Sequence, residues 1–104
     1  MPHATLSFST LRLVSRLFQP EQCSAVVAKL EVECGHDLPF MNNVTSESLE
    51  RIRFAVLKLS KGSATELDRA IAIAKVDWRD VLVAAQFANS LRAHEDWLHE
   101  QLGD

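Results

Sequence analysis

The sequence predicts an all-α fold: a compact, orthogonal or bundle-like array of about five to six short helices, forming one domain over residues 1–104. Three observations predict it. Gly and Pro number only 3 each, too few for a β-rich chain full of tight turns. Helix start signals recur, at Pro20, at "SATE" (63–66) and at Asp77. The linkers after the third and fourth segments are two or three residues long, which forces neighbouring helices to pack on each other. Leu, Ile, Val and Phe supply 31 of the 104 residues, enough for one packed core and above the range of disordered chains.

The first helix is expected over 9–18, where Leu11, Val14 and Phe18 share one face and Arg12 and Arg16 another. The second, over 20–34, opens on Pro20 with Glu21 in its first turn and stops at Gly35. "AKLEVEC" alternates apolar and charged residues, so a strand competes over 24–34. The stripe Cys23, Val26, Val27, Leu30, Cys34 and the two end signals favour the helix. "GHDLPFMNNVTSES" is the longest break.

A third helix covers 46–60, ending before Gly62. Ser63 and Glu66 read as a capping box that starts the fourth, 64–75. Asp77 caps the fifth, 78–89, with Asp80 in its first turn. A short sixth spans 91–102, placing His94 on a stripe with Leu91, Trp97 and Leu98.

Composition narrows the function classes. A net charge of −3 and a pI near 5.8 give no overall pull towards nucleic acid or anionic lipid. No apolar run reaches the roughly 18 residues of a membrane span. Two cysteines make no disulfide framework, and a cytoplasmic protein is the plain expectation. Residues 1–20 contain two Arg and no acid; a first helix of the domain is the main reading, a targeting segment the alternative.

Sites of chemistry are scarce. Cys23 and Cys34 fall eleven residues apart on one helix face, roughly 16 Å by helix rise, too far for a disulfide. A metal site joining them with His36 and Asp37 has poor ligand spacing. His94 and His99 are five apart and do not share a face. No Gly-rich phosphate loop or nucleophile elbow is present, so no cofactor and no catalytic residue is assigned.

The informative feature is apolar residues beyond one face. In the third segment Leu49, Ile52, Val56 and Leu59 make the core stripe, while Phe54 and Leu57 lie on another side. In the fifth, Trp78, Val81, Leu82 and Ala85 make one stripe and Val83 and Phe87 a second. Such a helix is either central or covered by a partner. Phe54, Leu57, Val83 and Phe87 are therefore the candidate interface. "DWRD" (77–80) opens the fifth helix with two acids at its positive end and a large Trp78 expected to bury. Arg79 and Gln86, seven apart on the polar sliver, are the candidate recognition pair.

"RIRFAVLKLSKGS", "AIAIAKVDWRDVLVAAQFA" and "AHEDWL" together resemble an uncharacterised family of small bacterial helical proteins with a similar Asp-Trp-Arg-Asp half. The resemblance covers roughly residues 49 to 98. It implies a bacterial helical protein, and a Gly at the position of Gln86 that ends the fifth helix sooner. No activity, cofactor or site residue comes with it.

The expected function is that of a non-enzymatic helical protein acting through protein contacts, with a protein partner or as a homodimer. The alternatives are a helix-turn-helix-like nucleic-acid binder, for which the fifth helix offers too little polar surface, and an enzyme without a recognisable motif.

Overall fold

The computed structural model describes residues 6–35, 38 and 45–103, and among them are six helices, of which the second to the fifth start where the sequence analysis placed them. They are α1 (Phe8–Leu17), α2 (Pro20–Glu33), α3 (Ser46–Ser60), α4 (Ala64–Val76), α5 (Trp78–Ala84) and α6 (Ala93–Leu102). The described residues contain no strand, so residues 24–33 are helical. Val26, Leu30 and Cys34 bury along the anticipated stripe.

The starts of α1, α3, α4 and α5 each have a backbone donor satisfied by the side chain of the capping residue. Ser7 Oγ accepts from the Thr10 amide at 3.1 Å, Thr45 Oγ1 from that of Ser48 at 3.0 Å and Ser63 Oγ from that of Glu66 at 3.3 Å. Only half of the box at 63–66 forms as read. The Glu66 carboxylate accepts from Arg69 at 3.1 Å, because the Ser63 amide already donates to the Ser60 carbonyl at 2.9 Å. Asp77 serves two helices. It ends α4 in an extended conformation and accepts from the Arg79 amide at 3.1 Å to begin α5. One residue thus joins α4 to α5, and the two pack together.

α3 occupies the centre and touches α1, α4, α5 and α6. From Ile52 to Leu57 every residue is buried, so this helix has no solvent side there. Phe54 and Leu57 are core residues of a single chain, and their assignment to an interface is corrected accordingly. A helix apolar on two sides is satisfied here by being central.

α5 ends at Ala84, five residues before the expected limit of 89. Gln86 adopts a left-handed backbone, φ 66°. The Gln86 amide donates to the Val83 carbonyl at 3.0 Å and the Phe87 amide to that of Leu82 at 2.8 Å. This pair of bonds is the usual left-handed helix stop. It turns the chain so that Phe87 enters the core at 1% exposure while Val83 stays 65% exposed. The expected strip of Val83 with Phe87 is therefore split, because the two are no longer one helical turn apart.

Phe87 stacks into a group with Phe54, His94 and Trp97, with ring centroids of Phe87 6.3 Å from His94 and 6.0 Å from Trp97. Phe54 lies 5.7 Å from His94 and 6.2 Å from Trp97. α6 starts at Ala93 rather than 91, leaving Leu91 77% exposed and off the stripe. In α1 the buried stripe is Thr10, Leu13 and Val14, so Leu11 lies outward beside Arg12. Trp78 is half-buried against the core, less covered than its place on the α5 stripe implied.

The turn from α3 to α4 depends on Gly62. Its φ is +77°, and a Cβ there would stand 2.6 Å from the Leu17 carbonyl oxygen. Only glycine fits a left-handed residue pressed against a neighbouring backbone.

Two outcomes follow from this packing. Phe87→Ala is expected to cost about 3–5 kcal/mol, as aromatic truncation in cores does, and Trp78→Ala less, because its ring is only half-buried. Urea denaturation of the two variants checks the order. Gln86→Gly relieves a left-handed side-chain conflict and should stabilise by up to about 1 kcal/mol, whereas Gly62→Ala should destabilise; thermal melts of the pair should move in opposite directions.

Candidate functional site

A cavity of about 370 Å³ opens where the first turn of α3, the start of α5 and the start of α6 meet. Arg51, Trp78, His94, Glu47 and Glu95 line it, with Leu82 and Leu91 among its apolar residues. Capping places these groups: Thr45 fixes the start of α3, and Asp77 sets Trp78 at the first position of α5.

Three polar atoms set this place apart. Arg51 Nε, Trp78 Nε1 and His94 Nδ1 are buried without a hydrogen-bond partner among the described residues. All three belong to side chains that line the cavity. An unpartnered buried polar group costs about 1–3 kcal/mol. The Arg51 guanidinium is anchored at Nη2, which donates to the carbonyls of Phe87 and Ser90. Glu50 accepts from Ser7 Oγ at 2.6 Å. Burial pushes the His94 imidazole below its usual value, and Arg51 adds to that effect; Glu95, Glu50 and Asp96 oppose it. The shift favours the neutral ring.

Sequence reasoning singled out Trp78 and treated His94 as a packed residue, but missed Arg51, Glu47 and Glu95. Together with Trp78 and His94 these come from three helices, and no local spacing announces the convergence.

The expected recognition pair does not assemble. Arg79 donates to both oxygens of Asp77, at 2.8 and 2.6 Å, and this ion pair holds the Asp77 carboxyl below the usual carboxylate range. Gln86 is past the end of α5 in a left-handed turn, so the seven-residue alignment on one helix fails. A seven-residue α5 is also short for a helix that reads a groove.

A second feature lies between α1 and α6. Phe8, Leu11 and Leu102 line a shallow groove together with Arg12 and Arg16. Phe8 is 75% and Leu11 39% exposed. Arg16 Nε donates to the Gln101 carbonyl at 3.0 Å, near the negative end of α6. Arg12 stands 5.9 Å from the Phe8 ring centroid.

The cysteines are both free. Cys34 is fully buried, and burial pushes its thiol up to about 12. A thiol so placed stays protonated and is a poor metal ligand. Among the described residues, no three His, Cys, Asp or Glu side chains are placed to hold a metal ion. His36 and Asp37 lie outside the described residues. Among the described residues, no helix is long and apolar enough to cross a membrane.

His94 should leave a mark on stability. Its folded value lies below the ordinary 6.5, so the unfolded chain takes up the proton first as pH falls. The neutral ring's contribution is complete above 6.5 and is lost progressively below it, down to the folded value. Melting midpoints of wild type between pH 7.5 and 5 should therefore fall more steeply than those of His94→Gln. Equal slopes would place His94 outside this linkage.

The geometry stands without a relative beside it: no family model, curated protein or solved structure matches this chain.

Proposed function

We propose that this is a non-enzymatic helical protein that acts through protein contacts, and that it associates with a second copy of itself through the α1–α6 face. The observation that carries the reading is Phe8, three-quarters exposed beside Leu11 on one helix and lining the groove with Leu102. Isolated exposed apolar residues are ordinary, but here two sit in one groove with the partly buried Leu102.

Charge favours a like partner. α1 carries Arg12 and Arg16 and no acid, while its neighbour α6 exposes Glu95, Asp96 and Glu100. A two-fold axis lets each basic helix face the other copy's acidic one, and such self-complementary patches are the commonest closed assemblies. A cytoplasmic location and kinship with the small bacterial proteins that the "DWRD" half resembles belong to the same reading.

The surface differs from the one that periodicity pointed to. Phe54, Leu57 and Phe87 are covered within the chain, and only Val83 of that set is outside. Light scattering separates the two surfaces. Wild type is expected as a dimer, Phe8→Glu as a monomer with unchanged helical circular dichroism, and Val83→Glu as a dimer. Because Phe8 and Val83 are both exposed, neither change should unfold the chain. A wild type that stays monomeric at high concentration, or a Phe8→Glu protein that still dimerises, refutes the proposal.

A further inference from the structure

We propose that the cavity between α3, α5 and α6 binds a small zwitterion, an α-amino acid with an apolar side chain. This does not depend on the dimer. A space of about 370 Å³ lies at the small end of ligand sites and accommodates a molecule of that size.

The polar groups define the rest. Arg51 and Trp78 each contribute an N–H with no acceptor among the described residues, and a carboxylate supplies acceptors for both. These atoms are withdrawn from water as the side chains stand, so the carboxylate meets them after a small turn of the two side chains into the cavity they line. The charged groups around the space are Arg51 against Glu47, Glu50 and Glu95. Glu50 is occupied by Ser7, while Glu47 and Glu95 are exposed.

A plain carboxylate would gain Arg51 but face the acids. A plain amine would gain the acids but face Arg51 and leave the two N–H groups without acceptors. A molecule carrying both charges meets both sets. Its ammonium lies towards Glu47 and Glu95, where the neutral His94 ring, unpartnered at Nδ1, is also at hand. Leu82, Leu91 and the Trp78 ring remain for the side chain, and covering Leu91 removes one of the most exposed apolar residues of the described chain from water.

The indole N–H of Trp78 is the direct reporter, with Trp97 as internal control. In proton–nitrogen correlation spectra of labelled protein, assigned with Trp78→Phe, three probes of one skeleton are titrated: L-leucine, 4-methylpentanoate without the ammonium, and 3-methylbutylamine without the carboxylate. L-leucine is expected to shift the Trp78 signal saturably at concentrations at least about tenfold lower than either fragment. The double variant Glu47→Gln, Glu95→Gln changes only exposed side chains. It should fold as wild type and bind L-leucine no better than 4-methylpentanoate. No saturable shift with L-leucine, a fragment that binds as tightly, or a double variant with undiminished leucine binding overturns the proposal.

Discussion

A helix with no solvent side is the constraint on which the rest of this structure depends. Between Ile52 and Leu57 α3 buries every residue, including Arg53. A chain of 104 residues has little material to surround such an element, so α1, α4, α5 and α6 are all used as cover. The tight connections follow from this demand. Gly62 turns the chain directly against α1, and a single Asp77 reverses α4 into α5.

The cations of α3 take part in the same task. Arg53 Nε donates to the Cys34 carbonyl at 2.9 Å, Lys58 Nζ to that of Ala85 at 2.8 Å, and Arg51 Nη2 to those of Phe87 and Ser90. Two of these carbonyls stand at helix C-terminal caps, where a positive charge is favoured by the dipole. Burial lowers the Arg53 guanidinium from its ordinary value, and the carbonyl bond offsets part of that cost. Arg53 and Lys58 are therefore internal fastening, while Arg51 is anchored at Nη2 and leaves its Nε without an acceptor among the described residues.

Function is left to what this packing does not use. α6 takes part in both proposed surfaces: His94 and Glu95 in its first turn line the cavity, and Leu102 at its end lines the groove beside α1. Only seven to eight residues of helix separate them, roughly 11–12 Å. Occupancy of one end and association at the other would thus act on a single short rod.

Much of the fold was legible in local sequence. Pro20, Ser63 and Asp77 mark helix starts because capping involves residues within a turn of each other, and those interactions need no tertiary help. Periodicity likewise identified Phe54 and Leu57 as apolar in excess of one face. What it lacked was the identity of the cover. Whether a second apolar face meets the same chain or another depends on where distant helices lie, and only the tertiary structure decided that α3 is central. Gln86 is the sharper case. A glutamine carries no stop signal, and only the bonds closing at Val83 and Leu82, together with the space that Phe87 fills beside His94 and Trp97, hold it left-handed. That one backbone angle moved Phe87 from a supposed interface into the core. The cavity was illegible for the same reason: Glu47, Arg51, Trp78 and His94 come from three helices, and the distances that bring them together exist only once α3 is enclosed.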